Sequence, residues 1–239
     1  MNYLMTYTVD KIETKNDIIL LDAVPKEGEV FDFKPGQYVM LALYDKNDAK
    51  KEIWQQRPFS IYSSPLNKKL LQFAIKIQGE FTQKVANLKK GDTVGISNPT
   101  GFFTFNEKRM RDTVFLAGGI GITPFMSAIR YVSEKNLPNK ITLLYSNKTE
   151  ADIVFFEELK TISRKHKNIQ VIFILTKDTP TLWEGEKERI DKTMIEKYCS
   201  PFQEKYFSLC GPEIFMESLS TQLEEIGVEK NRIDMERFN

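Results

Sequence analysis

The rhythm of apolar residues changes once along this chain, and that change constrains the fold more than any single motif. Up to about residue 105, short alternating runs follow one another: "YTVDKI", "DIILLDAV", "GQYVMLALYD", "FSIYSS", "LLQFAIKIQ" and "DTVGISNP". Glycine and proline separate them at "PKEG", "KPGQ", "SSPLNKK", "KKGD" and "NPTG". Period-two runs punctuated in this way build an antiparallel barrel or sandwich. A helical insert, "TQKVANLKK", interrupts them after Gly79. From about Thr113, buried-type strands alternate with helical stretches: "TVFLAGG", a helix from Thr123 to about Glu134, "KITLLYSN", "FFEELKTISRK", "IQVIFILT", "DKTMIEKY", "KYFSLCGP", "EIFMESLSTQLEEIG" and "RIDMERF". That alternation predicts a parallel sheet covered on both faces.

The expected architecture therefore has two domains: an antiparallel β-barrel over residues 1–108 and an α/β parallel-sheet domain over residues 109–239. The boundary falls in the charged stretch "NEKRMRD", residues 106–112. A length of 239 residues accommodates two domains of ordinary size, and 41% hydrophobic residues supply a core for each. A net charge of +1 provides no global field for nucleic acid or an anionic membrane. No apolar run approaches the roughly 20 residues that span a bilayer, and the N-terminus lacks a signal-peptide pattern, so a cytoplasmic protein without membrane insertion is expected. Two cysteines and one histidine leave no basis for an iron–sulfur cluster, a zinc site or a Ser-His-Asp triad. No metal site is expected, and chemistry in such a chain falls to an organic cofactor.

Two stretches stand out for that role. In "LAGGIGITPF", Gly118, Gly119 and Gly121 let the backbone turn tightly where the first parallel strand enters a helix. Thr123 suits the N-cap and Pro124 the first helical position. The G-x-G-x-x-G spacing is not met, and a plain strand-to-helix turn accounts for the stretch equally well. The next strand ends at Ser146, Asn147 and Lys148, with a lysine where NAD-selecting domains often carry an acid. In "QQRPFSIYSS", Arg57, Pro58, Phe59 and Ser60 put a guanidinium, a ring and a hydroxyl within four residues. These read either as a barrel edge or as a grip on a ligand with an anionic part and a flat part.

Taken together, six stretches in one order resemble the ferredoxin–NADP reductase superfamily, including its cytochrome b5 reductase branch: "FKPGQYV", "RPFS", "IQGEFTQKVANLKKGD", "GGIGITP", "CGPEIF" and the closing "ERF". The resemblance covers nearly the whole chain. It implies an FAD-binding barrel joined to an NAD(P)-binding α/β domain. Arg57 would hold the FAD pyrophosphate, Phe59 (where relatives more often carry Tyr) would lie against the flavin, and Ser60 would approach the hydride-accepting nitrogen. Main-chain groups of Ile75, Lys76 and Ile77 would meet the flavin, and Gly79, Phe81 and Thr82 would bring helix amides to the phosphates. The glycine turn, Ser146 and Lys148, with Cys210 and Gly211, would take NADH or NADPH. Cys210 and Glu236 would align the nicotinamide with Ser60, and Phe238 would cover the flavin.

The implied activity is transfer of a hydride from NAD(P)H to FAD, then of single electrons to a carrier such as ferredoxin, flavodoxin or a cytochrome. A separate acceptor protein or oxidoreductase subunit is implied, since no ferredoxin or haem domain is evident; lysines 46, 50, 51, 68, 69, 89 and 90 would steer an acidic carrier or simply be solvated. Two alternatives stand beside this reading: a free-flavin or ferric reductase, and a non-catalytic dinucleotide-binding electron-transfer subunit.

Overall fold

A computed structural model describes residues 4–44, 53–177 and 179–237. These fall into two units, one of residues Met1–Thr104 with Met126–Tyr131, the other of Phe105–Phe125 with Val132–Asn239.

The first unit contains β1 (Leu4–Lys15), β2 (Ile18–Pro25), β3 (Tyr38–Tyr44), β4 (Ile53–Ser60), β5 (Leu71–Lys76), the short helix α1 (Glu80–Ala86) and β6 (Thr93–Ser97). The strands form one antiparallel sheet in the order β4-β3-β6-β1-β2-β5. Beyond the last residue of β4, the Tyr62 N–H donates to the Gln72 carbonyl at 3.0 Å, tying the two edge strands together. Alternate residues, among them Val9, Ile19, Leu21, Val39, Leu41, Ile61, Phe73, Ile75, Val94 and Ile96, form its core. Each such side chain stabilises the fold by about 1.5–3 kcal/mol through removal from water. The turn between β1 and β2 places Asn16 at φ 54, a conformation asparagine tolerates. At Gly36 (φ +99), a Cβ would lie 2.2 Å from the Phe103 carbonyl oxygen, so "KPGQ" admits no other residue without a backbone shift.

Two boundaries differ from expectation. The strand expected over "FSIYSS" ends at Ser60, because Ser63 and Ser64 turn their hydroxyls onto the Gln72 and Leu66 amides (3.3 Å each) and bend the chain. The helix expected to run to Lys90 stops at Ala86. Asp92 draws the "LKKGD" segment into a turn, its carboxylate accepting from the Lys89 N–H at 2.9 Å.

The second unit contains β7 (Asp112–Gly118), α2 (Thr123–Glu134), β8 (Lys140–Asn147), α3 (Phe156–Lys165), β9 (Ile169–Leu175), β10 (Glu186–Lys187), α4 (Lys192–Cys199), β11 (Tyr206–Cys210), α5 (Glu213–Glu225) and β12 (Ile233–Glu236). Its sheet is parallel throughout, in the order β10-β9-β8-β7-β11-β12. Alternation again sorts the side chains. Val114, Leu116, Leu144, Ile172, Ile174, Phe207 and Leu209 pack with Met194 and Ile195 of α4 and Met216, Leu219 and Leu223 of α5. From the other face, Phe115 stacks on Phe125 of α2 (4.5 Å) and Phe173 meets Phe156 of α3 edge-on (4.7 Å). Helices thus cover both faces, as the strand–helix alternation predicts. Successive strands run outward from β7 in one direction through β8 and β9, then β11 and β12 lie on its other side. The topology reverses between β7 and β11.

Candidate functional sites in the two units

In the first unit, Arg57 and Phe59 lie two residues apart on β4 and so share a face. Both meet Phe81, in the first turn of α1: the Phe59 and Phe81 rings stack at 6.0 Å and 25°, and the Arg57 guanidinium lies 5.7 Å from the Phe81 ring centre. The guanidinium is exposed and donates one hydrogen bond, 2.8 Å, to the Gln56 carbonyl. Among the described residues, that bond leaves four of its five N–H donors. Pro58 and Ser60 alternate onto the opposite face, Pro58 exposed and Ser60 buried. The four residues of "RPFS" are therefore split two and two across the strand.

Their main chains follow the same alternation. The Ile61 N–H donates to the Gln37 carbonyl, so the hydrogen-bonded pairs with β3 fall at Phe59 and Arg57, while Ser60, Pro58 and Gln56 face the open edge. Pro58, lacking an N–H, is accommodated because its nitrogen faces that edge. On β5, the Ile77 N–H donates to the Asp17 carbonyl at 2.7 Å, which orients Ile75 and Ile77 toward β2. Of the three residues expected to offer main-chain groups, only Lys76 faces the open edge; Ala74, which the sequence reading missed, faces it too. The Lys76 ammonium pairs with Asp17 at 3.3 Å. Gly79 starts α1 at φ 81. The Thr82 hydroxyl is committed locally, accepting from the Gln78 N–H at 2.6 Å and donating to the Gly79 carbonyl at 3.1 Å. Its side chain shapes the turn.

In the second unit, the two glycine motifs meet backbone to backbone. A Cβ on Gly121 would lie 2.2 Å from the Cys210 carbonyl oxygen and 2.7 Å from the Gly211 nitrogen. A Cβ on Gly211 would lie 3.1 Å from the Gly118 Cα, and one on Gly118 would meet the Pro212 ring at 3.0 Å and Phe215 at 3.3 Å. This contact sits at the carboxyl ends of β7 and β11, the crevice at which open α/β sheets bind ligands. Pro212 and Phe215 stand in the stretch "CGPEIF" with no separate role in the sequence reading; the register of β7 against β11 puts them beside Gly118. Gly119 takes φ +55 and opens a single 3-10 turn over Gly119–Ile122. That turn corrects the expected cap: Thr123 already has helical angles, is buried, and its hydroxyl donates to the Ile120 carbonyl at 3.2 Å. Pro124 consequently follows the first residue of α2.

Cys210, fully buried, is the register partner of Glu236 on β12. Burial pushes its thiol well above the ordinary range, and the Glu236 charge adds to that shift. Burial likewise raises the Glu236 carboxyl. Ser146, half-buried, pairs in register with Gly118, and Lys148 is exposed just beyond β8. Phe238 lies outside the described residues, as do lysines 46, 50 and 51.

The residues present suit the two groups that the resemblance implies. A donor fork with spare N–H groups beside two stacked rings suits a pyrophosphate and a flat heterocycle. A switch-point crevice walled by bare glycine backbone suits a dinucleotide. Fold and sites together define a two-domain oxidoreductase that uses a flavin and a nicotinamide dinucleotide.

Comparison with known proteins agrees with that class. Residues 5–118 match the FAD-binding domain family and residues 115–221 the oxidoreductase NAD-binding domain family. Over 227 residues the chain is 29% identical to an NADH-cytochrome b5 reductase 1 of Dictyostelium discoideum, covering 93% of this chain and 77% of that protein. Its fold matches the cytochrome b5 reductase domain of Ulva prolifera nitrate reductase (TM-score 0.85, 21% identity, 98% and 97% coverage). It also matches a ferredoxin NADP+ reductase from Neisseria gonorrhoeae with bound FAD and NADP (TM-score 0.81, 20% identity, 98% of each chain). The chain belongs to the ferredoxin–NADP reductase superfamily and is an NAD(P)H-dependent flavoprotein reductase. Among the described residues no helix is long and apolar enough to cross a membrane.

Proposed function

We propose that residues 1–108 hold FAD, that residues 109–239 hold NAD(P)H, and that a separate one-electron carrier protein is the acceptor. When bound, FAD supplies the redox chemistry: it accepts a hydride from the nicotinamide and returns electrons singly. The protein supplies binding, orientation and electrostatics.

Arg57 is the residue assigned to the pyrophosphate, as a charge-assisted donor fork. Phe59, backed by Phe81, is assigned to the flat part of the cofactor, and the Ser60 hydroxyl to its redox-active edge. Lys76 is assigned through its main chain, because its ammonium is occupied by Asp17. Gly118, Gly121 and Gly211 let the two glycine turns pack backbone to backbone, and Gly119, with nothing within 4 Å of its Cβ position, is assigned to the dinucleotide side of the turn. Cys210, held as a neutral thiol, and Glu236 are assigned to orienting the nicotinamide without covalent attack. Phe238 is assigned to the flavin face by resemblance alone.

The observation that carries this reading is the contact of Gly121 with the Cys210–Gly211 peptide at the switch point of the sheet. It joins the two dinucleotide signatures, which lie about ninety residues apart in sequence, into one crevice. The acceptor is assigned by class: a cytochrome, as the name of the Dictyostelium relative supports, or a ferredoxin or flavodoxin. The test is steady-state reduction of purified cytochrome b5, ferredoxin and flavodoxin by the FAD-loaded protein with NAD(P)H. Rapid turnover with at least one carrier supports the assignment. Turnover with free flavin or ferric chelates alone would replace it with the free-flavin reading.

A further inference from the structure

Strands of a parallel sheet all start on one edge, neighbours about 4.8 Å apart. In the second unit, along the order β9-β8-β7-β11-β12, a cation stands within two residues of each start: Lys167, Lys140, Arg111, Lys205 and Arg232. This edge is braced by its own main chain. The Lys140 N–H donates to the Arg111 carbonyl at 2.8 Å and the Ile141 N–H to the Asn168 carbonyl at 2.9 Å. Two arginines converge there on one ring: the guanidinium of Arg109 lies 4.8 Å, and that of Arg232 5.1 Å, from the centre of Tyr206. Each is fixed by a bond to a main-chain carbonyl, Arg109 to Asn231 at 3.2 Å and Arg232 to Glu204 at 2.6 Å. Carboxylates answer two of the cations, Asp112 pairing with Lys205 at 3.2 Å and Glu229 lying 3.9 Å from Arg232. Arg111, Lys140 and Lys167 are exposed, and none has an ion-pair partner among the described residues.

Arginine and tyrosine dominate the hot spots of protein interfaces, and guanidinia already held against a ring lose little freedom when a carboxylate arrives. A phosphate polymer offers acceptors only, so the exposed Glu204 and Glu229 would face it unmatched, whereas a protein brings donors for them as well. None of the exposed large apolar residues stands at a strand start, which leaves a bilayer no apolar face to take up. We propose that this amino-terminal edge of the parallel sheet docks an acidic surface of a partner protein. The glycine crevice lies at the carboxyl ends of the same strands, so a partner held here leaves it open for exchange. Exposed charges steer and select a partner, and their effect weakens as salt is added.

The test is fluorescence anisotropy of a rhodamine-labelled decaglutamate peptide titrated with the FAD-loaded full chain. A single-stranded DNA decamer and phosphatidylserine-containing vesicles are run beside it. The expected result is saturable binding of the peptide, weaker at higher ionic strength. It falls at least about tenfold in the Arg109→Ala, Lys140→Ala double variant, the scale of a charge-assisted hydrogen bond. A Lys15→Ala, Lys26→Ala variant removes the same charge from exposed positions of the first unit and keeps wild-type affinity. Carbodiimide coupling of the peptide to the wild type attaches it at Lys140 or Lys167, read by peptide mass, and saturating NADPH leaves binding unchanged. Tighter binding of the DNA assigns the edge to a phosphate polymer, tighter binding of the vesicles assigns it to a membrane, and either overturns the inference. Absence of saturable peptide binding, an equal loss in the two double variants, or displacement of the peptide by NADPH overturns it as well.

Discussion

Cys210 and Glu236 are register partners on the adjacent parallel strands β11 and β12, so their side chains leave the same face of the sheet. Burial acts on both: it favours the neutral thiol and the neutral carboxylic acid over their ions. The Glu236 charge further opposes ionisation of the Cys210 thiol. Cys210 is in this setting a neutral, positioned group and a poor nucleophile, since the thiolate is the reactive species.

That gives a first prediction. Both cysteines are buried, and burial pushes the Cys199 thiol up to about 12. The native protein should show no thiol reactive toward a disulfide reagent at neutral pH, and both should appear on denaturation. A rapid native reaction at Cys210, mapped by peptide mass, would contradict the assigned role.

Glu236 makes stability depend on pH in a definite direction. Its folded carboxyl titrates above its unfolded value, so the folded state holds the extra proton between the two. The contribution is full below the unfolded value and is lost as pH rises through the folded one. Glu186, lowered by its bonds to Lys197 and Tyr198, acts oppositely and loses its contribution as pH falls. Melting temperatures of wild type and Glu236→Gln across the carboxylate range are the check. The variant should lack the decline on the alkaline side of that range, and identical profiles would remove Glu236 as its source.

Gly121 and Gly119 should respond differently to alanine. At Gly121 the new Cβ meets the Cys210 carbonyl oxygen at 2.2 Å, so the β7–β11 crevice must open. The loss expected is about 3 kcal/mol or more, the upper range for overpacking, measured by denaturant unfolding. At Gly119 nothing lies within 4 Å, and the cost is the left-handed backbone alone, about 1–2 kcal/mol. Nucleotide binding should fall in Gly121→Ala with FAD retained.

Arg57 is exposed, so Arg57→Ala should leave melting of the flavin-free protein within about 0.5 kcal/mol of wild type. FAD affinity should fall by roughly 10- to 100-fold, as for loss of a charge-assisted hydrogen bond. Arg57→Lys should recover only part, because an ammonium lacks the planar fork. Fluorescence titration with FAD measures all three proteins.

The fold was legible in sequence because period-two runs fill the first unit and alternate with helical stretches in the second; the five α-helices among the described residues announce themselves this way, and the two-residue β10 does not. What the strings concealed was set by contacts between distant residues. Alternation along β4 separates Ser60 from Arg57 and Phe59, and a motif written as four letters does not show this. The orientation of the Ile75 and Ile77 amides depends on Asp17, and Thr123 loses its expected cap because the helix starts earlier, as a 3-10 turn. The Gly121–Cys210 contact needs the order of strands, which periodicity leaves undetermined.

The central claim is that this chain holds FAD and reduces it with a nicotinamide dinucleotide. Its most direct test is the absorption spectrum of the FAD-loaded protein during anaerobic titration with NADPH and, separately, NADH. Stoichiometric bleaching of the flavin band by at least one dinucleotide, with coloured protein retained after gel filtration, is the expected result. A protein that takes up no FAD, or whose bound FAD stays oxidised with both dinucleotides, would contradict it.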